Sequence, residues 1–125
     1  MTETEKKRKI LIVEDEVVTG MDLWHILDLW GYEMCEQVTT GEKAIQVAAQ
    51  EKPDIVLIDI NLAHGINGLE TAKQIISRHD ASVIFITGYS DDEIRKEAEG
   101  VGPAGYFVKP IDYYKLREAI DSVSL

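Results

Sequence analysis

The chain has 125 residues, with 13 Lys and Arg against 23 Asp and Glu, and its formal net charge is −10. This length predicts one compact domain, because domains cluster around ~100–150 residues. Such an acidic surface repels the backbone of nucleic acids and anionic membranes. We therefore expect neither as a partner, and we expect proteins or cations instead. The single cysteine, Cys35, excludes an intrachain disulfide and suits the reducing cytoplasm.

Basic residues cluster at positions 6–9, directly before the first apolar segment. That segment has only four residues, far fewer than the apolar core of a signal peptide or a membrane span requires. We therefore expect residues 1–8 to form a charged, solvated flank and residues 9–125 to form the domain.

Short aliphatic segments at four places lack the alternation of polar and apolar residues that marks a half-exposed strand. They predict strands that are buried on both faces of a parallel sheet. A weaker segment, Met34 to Val38, contains two polar residues and predicts an edge strand. The four buried strands are predicted at Ile10–Val13, Ile55–Ile58, Val83–Ile86 and Tyr106–Val108.

The first helix is predicted over residues 17–30, which are largely apolar. The polar residues Asp22, His25 and Asp28 fall three positions apart and form one exposed stripe along this helix. Gly31 supplies a stop after the helix. We expect the remainder of the helix to pack tightly against the sheet.

Four further helices follow, two of them marked by capping boxes. Thr39 with Glu42, and Ser90 with Glu93, match the S/T-x-x-E pattern and predict two helix starts. Apolar residues at helical spacing mark the second helix, before Pro53, and the third: Ala44, Ile45 and Ala48 in the second, and Leu69, Ala72, Ile75 and Ile76 in the third. The fourth helix is polar and is predicted from Asp91 to about Gly100. A fifth starts near Asp112 and places on one face Tyr113, Leu116, Ile120 and Val123.

Five strands that alternate with five helices predict a doubly wound α/β sheet with helices on both faces. Right-handed crossovers and an edge position for the second strand favour the strand order 2-1-3-4-5. In such a sheet, ligands bind beyond the carboxyl ends of the strands, where the first and third strands flank the switch point.

Polar side chains follow each of the internal strands of the predicted sheet. Because parallel strands end at the same edge, these residues should meet in one crevice. Taken one at a time, the acidic residues are typical helix caps, the threonine is a typical strand residue and the lysine is typically solvated. Only their placement together indicates a site. They are Glu14, Asp15 and Glu16 after the first strand, Asp59 after the third, Thr87 and Gly88 after the fourth, and Lys109 and Pro110 after the fifth.

Three converging carboxylates repel one another, so either one of them is protonated or a divalent cation lies among them. Oxygen ligands favour Mg²⁺, which keeps water and phosphate oxygens as its other ligands and therefore implies a phosphoryl group. Asp59, central in the predicted sheet, is the best candidate for a nucleophile that forms an aspartyl phosphate. Lys109 and the Thr87 hydroxyl would bind the phosphoryl oxygens.

Five motifs, spread over residues 9–123, together resemble the receiver domain of two-component response regulators. The resemblance implies a flavodoxin-like (βα)5 fold and a cytoplasmic signalling switch that is not a turnover enzyme. It also implies that Asp59 accepts its phosphoryl group from a phosphohistidine on a sensor histidine kinase. The motifs are the acids of Glu14-Asp15-Glu16, Asp59 after Ile-Val-Leu-Ile, Gly68-Leu69-Glu70, Thr87-Gly88, and Tyr106-Phe107-Val108-Lys109-Pro110.

The same resemblance implies roles for individual residues around Asp59. Glu14, Asp15 and Asp59 would hold Mg²⁺, or Mn²⁺ in its place, together with the backbone carbonyl of Asn61. Lys109 would pair with the phosphoryl group and precede a cis peptide bond to Pro110.

Thr87 and Tyr106 match the switch positions of the family. The phosphoryl group would attract the Thr87 hydroxyl and free space into which the Tyr106 ring turns. This would alter the face formed by the fourth helix, the fifth strand and the fifth helix, which would control an output domain or a partner protein and could pair two copies of the chain. From the residues alone, Tyr106 is equally well explained as a half-buried strand aromatic.

The loop over residues 60–67 is one residue longer than the commonest receiver pattern and lacks its usual proline, so we expect a looser loop over the site. Asn61 and Tyr89 lie two positions beyond Asp59 and Thr87, where side chains of the family admit or screen the hydrolytic water. We expect both to tune the reaction, although both could equally be solvated loop residues.

Two other functions remain as alternatives. Phosphatases of the haloacid dehalogenase type also use an Asp nucleophile, but in an Asp-x-Asp motif after the first strand, whereas Asp59-Ile60-Asn61 follows the third. A flavin-binding protein of similar fold would need a phosphate-binding loop where Glu14-Asp15-Glu16 stands.

Overall fold

The structure of the chain is a computed structural model that describes residues 7–125. Most of the predicted flank, residues 1–6, lies outside the described residues. Within residues 7–125, no helix is long and apolar enough to cross a membrane. The elements are β1 (Lys9–Val13), α1 (Val17–Leu29), β2 (Glu33–Met34), α2 (Gly41–Glu51), β3 (Ile55–Asp59), α3 (Gly68–Arg78), β4 (Ser82–Thr87), α4 (Asp92–Gly100), β5 (Gly105–Val108) and α5 (Tyr113–Ser122).

The five strands form one parallel sheet in the order β2-β1-β3-β4-β5, which confirms the predicted fold and topology. Val13 is paired with Ile58, and Thr87 with Val108, so neighbouring strands end close to one level. Asp59 is the last residue of β3 and is paired with Ile86. The register therefore brings the residues after β1, β3, β4 and β5 to one edge of the sheet.

Both faces of the sheet are covered at β1, β3 and β4, as the continuous aliphatic strands predict. The prediction is wrong for β5, which lies at an edge of the sheet and is only half-buried, with Val108 45% exposed. Alternate residues of β1 belong to different clusters: Leu11 lies in the core beneath α2 and α3, whereas Ile12 lies in the core beneath α1 and α5. This alternation follows from the two-residue period of a strand. Leu57 and Ile58 divide in the same way in β3, so the central strands are anchored from both sides.

The edge strand is shorter than the predicted segment from Met34 to Val38. Regular pairing ends at Met34 opposite Ile10, and an isolated bridge joins Val38 to Val13. Between these pairs the edge chain contains one more residue than β1, so the pairing is interrupted as in a β-bulge. Cys35 is buried, as expected for a small apolar side chain.

The predicted tight packing of α1 is wrong for much of its surface. Gly20, Leu23 and Leu27 are buried, but Val18 is 71% exposed and Leu29 is 84% exposed. A helix that packs against one face of a sheet buries only one stripe, so apolar residues beside the polar stripe of α1 remain in solvent.

Neither predicted capping box forms, because each N-cap lies one residue later than the sequence predicts. Thr40, and not Thr39, caps α2 through a hydrogen bond from the Lys43 amide, and Asp91, and not Ser90, caps α4. In each case two neighbouring residues can act as an N-cap, and the local pattern does not distinguish them.

Arg8 differs from the solvated flank that the sequence predicts. Its guanidinium is part-buried and donates to the backbone carbonyls of Asp121 and Val123, at 2.8 Å and 2.9 Å. These carbonyls lie at the carboxyl end of α5, where a cation is favourable. The last residue of the flank therefore ties β1 to α5.

The start of α3 lies directly against the end of β3. A Cβ atom on Gly68 would lie 2.7 Å from Ile60 Cα, and closer still to the carbonyl oxygen of Asp59. Both atoms belong to the backbone, which cannot turn aside as a side chain would. Glycine at position 68 therefore allows the close approach of α3 to the strand that carries Asp59.

We expect Gly68→Ala to lower the free energy of unfolding by about 1–3 kcal/mol, because the new methyl group overpacks this contact. Urea unfolding would measure the loss. Gly100→Ala is the matched control, since nothing lies within 4 Å of a Cβ there, and it should be neutral or stabilising by up to about 1 kcal/mol. Equal effects of the two substitutions would contradict this interpretation.

Candidate functional site

Lys109 joins the ends of the central strands at the carboxyl edge of the sheet. Its ammonium lies 2.9 Å from Glu14 Oε1 and 3.1 Å from Asp59 Oδ2. The three residues follow or end β5, β1 and β3, so the register described above places them together. The peptide bond between Lys109 and Pro110 is cis.

Three carboxylates converge beside this ammonium. Oxygens of Glu14, Asp15 and Asp59 all lie within 4.8 Å of one another. Glu14 and Asp59 are buried, at 5% and 6% exposure, whereas Asp15 is half-buried at the mouth of the crevice. Carboxylate oxygens are the ligands that hard divalent cations prefer, and the open side leaves room for water or phosphate oxygens. The donor set therefore fits Mg²⁺.

The pKa of Glu14 is raised by its surroundings. Burial raises its pKa from 4.5 to about 7, although hydrogen bonds from Lys109 and from the Glu16 amide act in the opposite direction. The negative charge of Asp59 raises the Glu14 pKa further. When no cation is bound, this raised pKa favours protonation of Glu14.

Lys109 remains charged in this environment. Burial lowers its pKa, but the hydrogen bonds to Glu14 and Asp59 and their negative charges outweigh burial, so the net pKa of Lys109 is raised. A permanent ammonium in contact with Asp59 can offset the charge of an incoming phosphoryl group.

Asn61 contacts both Asp59 and Thr87. Its backbone amide donates to Asp59 Oδ1 at 2.8 Å, and its side-chain amide donates to Thr87 Oγ1 at 2.9 Å. The sequence predicts Asn61 as a metal ligand through its carbonyl and as a tuning residue, but it does not predict the contact with Thr87. The only local feature of the sequence that could have indicated this contact is the asparagine two positions after Asp59.

Thr87 is fully buried, and its hydroxyl is turned towards the following loop. Its Oγ1 donates to the Tyr89 carbonyl at 2.5 Å and accepts from the Tyr89 amide at 3.2 Å. The contact of Tyr89 with the site is thus made by its backbone. Its side chain, predicted to tune the access of water, is 64% exposed.

Tyr106 is half-buried in β5 and linked to α4. Its hydroxyl lies 2.5 Å from Ser90 Oγ, and the Arg95 guanidinium lies 5.0 Å from the centre of its ring. The sequence predicts Ser90 as a helix cap and misses this contact. Tyr106 therefore connects β5 to the beginning of α4.

The loop over residues 60–67 is anchored, which contradicts the expectation of a looser loop. The amide of Ala63 donates to Asp15 Oδ2 at 2.9 Å, and the amide of Ile66 donates to Glu42 Oε2 at 3.1 Å. Glu42, predicted to complete a capping box in α2, instead binds this loop. Asp15 therefore connects the loop to the acidic cluster.

Residues 10–121 match the family model of the response regulator receiver domain, and the chain therefore belongs to that family. Its members are the receiver domains of two-component response regulators, which act as signalling switches. This confirms the resemblance seen in the five sequence motifs.

Similar proteins differ in how much of their length the chain matches. It is 32% identical to the transcriptional regulatory protein PdtaR of Mycobacterium tuberculosis, over 91% of this chain and 55% of that protein. It is 30% identical to sporulation initiation phosphotransferase F of Bacillus subtilis, over 90% of both chains. The signal receiver domain of a modulated diguanylate cyclase from Desulfovibrio desulfuricans superposes with a TM-score of 0.88, at 33% identity over 94% of each chain. The chain therefore spans about half the length of PdtaR and most of the other two.

The pKa of Glu14 predicts how the stability of the cation-free protein depends on pH. Between about pH 4.5 and pH 7 the folded protein keeps a proton that the unfolded chain has lost, so stability falls as the pH rises. The fall attributable to Glu14 is at most ~1.4 kcal/mol per pH unit. The stabilisation that the proton on Glu14 provides should be fully present below pH 4.5 and lost above pH 7.

Urea unfolding in a chelator, at several pH values, would test this prediction by comparing the wild type with Glu14→Gln. The stability of the wild type relative to Glu14→Gln should decrease with pH across the window. The exposed Glu118→Gln is the control for the loss of one carboxylate. A difference between wild type and Glu14→Gln that is constant with pH would contradict the assignment of the proton to Glu14.

Proposed function

We propose that the chain is a phosphorylatable switch whose phosphoacceptor is Asp59 and whose phosphodonor is a phosphohistidine on a sensor histidine kinase. The observation that carries the proposal is the contact of the Lys109 ammonium with Asp59 and Glu14 at the carboxyl edge of the sheet, in a chain of the receiver family. Residues 9–125 form the proposed receiver, preceded by the charged flank at 1–8. With one cysteine and this phosphodonor, we place the chain in the cytoplasm.

In the proposed reaction an Asp59 carboxylate oxygen attacks the phosphorus of phosphohistidine. An O–P bond forms as the P–N bond breaks, and the imidazole nitrogen keeps the electron pair and takes a proton from solvent. Lys109 binds a phosphoryl oxygen and offsets its charge. The product is an acyl phosphate on Asp59 itself, so the chain is modified once and does not turn over an external substrate.

The proposed cation site consists of Glu14, Asp15 and Asp59, with the Asn61 carbonyl as a further oxygen ligand. Mg²⁺, when bound there, would neutralise the charge that develops on the transferring phosphoryl oxygens. Mn²⁺ accepts the same oxygen ligands and should substitute for it. Glu14 must lose its proton to become a ligand, so cation binding should release protons below about pH 7.

The proposed output combines Thr87 with Tyr106. A phosphoryl oxygen on Asp59 would attract the Thr87 proton, which the hydroxyl now donates to the Tyr89 carbonyl. Movement of Tyr106 would break its contact with Ser90 and displace the packing of Arg95. Since these partners belong to the start of α4, the change would spread over the α4–β5–α5 face, which we propose as the surface for an output domain, a partner protein or a second copy of the chain.

The phosphatase alternative has little support in the site. Its Asp-x-Asp motif supplies a second acid two residues after the nucleophile, but Asn61 occupies that position and donates its side-chain amide to Thr87. An amide in this role cannot protonate a leaving group. The acidic segment at residues 14–16 likewise leaves the flavin alternative without a phosphate-binding loop.

Acetyl phosphate with Mg²⁺ should add one phosphoryl group to the chain, and Asp59→Asn should abolish the addition, because an amide oxygen is a far weaker nucleophile than a carboxylate. Intact mass spectrometry would measure the adduct. Asp28→Asn, at an exposed position of α1, is the matched control and should be phosphorylated normally. An undiminished adduct on Asp59→Asn would disprove the assignment of the phosphoacceptor.

Asp15→Asn should weaken Mg²⁺ binding at least tenfold, since it removes one anionic ligand. The asparagine oxygen can still accept the hydrogen bond from Ala63, so the loop should stay anchored. Calorimetric titration with Mg²⁺ would measure the affinity, and a chelator should stop labelling by acetyl phosphate in the wild type. Unchanged affinity in Asp15→Asn would place the cation elsewhere.

A further inference from the structure

Asn61 is the residue that physically joins the proposed phosphoacceptor to the proposed switch. Its backbone amide holds Asp59 Oδ1, and its side-chain amide holds Thr87 Oγ1. Position 61 is exposed as a whole, so the carboxamide could have pointed into water. It binds a fully buried hydroxyl instead.

The hydrogen-bonding capacity of the Thr87 hydroxyl is fully used. A hydroxyl has one proton to donate and two lone pairs that accept. The proton goes to the Tyr89 carbonyl, and the lone pairs accept from the Tyr89 amide and from Asn61 Nδ2. Thr87 therefore has no free proton to offer a phosphoryl oxygen in this conformation.

We infer that the Asn61 side chain is a latch that holds Thr87 in its unphosphorylated orientation. The inference rests on the proposed function and adds a positioning role for Asn61 that acts through Thr87 and not through the hydrolytic water. By occupying a lone pair of Oγ1, the amide favours the rotamer in which the proton faces Tyr89. Phosphorylation must break or reorganise this contact before Thr87 can turn towards Asp59.

The latch sets the balance between the two states of the switch in the unphosphorylated protein. Loss of one neutral hydrogen bond should raise the ratio of active to inactive conformers roughly two- to tenfold. Asn61→Leu removes the amide while keeping a side chain branched at the same atom, and adds no charge beside Asp59. Thr87→Val removes the hydroxyl while keeping a branched side chain of similar shape.

The first measurement concerns the contact itself, in the unphosphorylated protein. The chain contains only two asparagines, Asn61 and Asn67, so their side-chain amide resonances are easily assigned by NMR. Thr87→Val should shift the Asn61 resonances and increase their exchange with water, and should leave those of Asn67 unchanged. Asn61 resonances that do not respond to Thr87→Val would overturn the latch, even if Asp59 is phosphorylated normally.

The second measurement is a double-mutant cycle on the switch. The resonance of the Tyr106 ring would report the conformer ratio, with the phosphorylated wild type as the active limit. Asn61→Leu should raise the ratio two- to tenfold in the wild type and leave it unchanged in Thr87→Val. His64→Leu, an exposed substitution in the same loop, is the control and should have no effect.

The latch would be overturned if Asn61→Leu changed the conformer ratio equally in the wild type and in Thr87→Val, or changed it in neither. Intact mass after treatment with acetyl phosphate separates this result from failure of the proposed function. If the wild type takes no phosphoryl group, the proposed function fails, whereas the response of the Asn61 resonances still reports whether the contact exists.

Discussion

The contact of the Lys109 ammonium with the carboxylates of Glu14 and Asp59 is the interaction on which the site depends. It joins three segments that are far apart in the chain, and it balances charge where two buried carboxylates would otherwise repel each other. Truncating the ammonium would leave two buried carboxylates without their cationic partner, which is strongly unfavourable. The raised pKa of Glu14 favours a proton there that would reduce the remaining imbalance, and a divalent cation at the same carboxylates would offset it.

The sheet makes this contact possible. Parallel strands whose alternate residues are buried on opposite faces have little freedom to slip, because a shift by one residue would exchange the two cores. The register of β1, β3 and β4 consequently determines where Glu14, Asp59 and Thr87 lie. The close approach of Gly68 to Asp59 and Ile60 then brings together the two ends of the loop that follows Asp59.

Long, strongly patterned features could be predicted from the sequence. The three buried aliphatic strands, the strand order and the convergence of Glu14, Asp15, Asp59, Thr87 and Lys109 all follow from the burial of β-branched segments and from the common edge of parallel strands. The resemblance to receiver domains rests on the same residues in the same order. These features depend on the pattern of many residues together, so no single side chain decides them.

Features decided by one side chain could not be predicted in the same way. Thr39 and Thr40 can both act as N-caps, as can Ser90 and Asp91. In the structure Glu42 binds the 60–67 loop and Ser90 contacts Tyr106, so neither serves the predicted capping box. The long-range hydrogen bonds of Arg8 with α5 leave no local signal.

The loop illustrates the same limit. The length of the 60–67 loop predicts a looser segment. Two carboxylates from other segments, those of Asp15 and Glu42, accept hydrogen bonds from its backbone and anchor it. The hydrogen bond between Asn61 and Thr87 likewise depends on the three-dimensional proximity of β3 and β4 and on one rotamer.

Locating the modified atom shows directly whether the carboxylate of Asp59 carries the phosphoryl group. Treatment of the acetyl phosphate-labelled protein with borohydride reduces an aspartyl phosphate to homoserine, which peptide mass spectrometry can place in the sequence. The account predicts homoserine at position 59 and unmodified acids at positions 14 and 15. Reduction at either of those acids, or a label that borohydride leaves intact on a hydroxyl or imidazole, would contradict it.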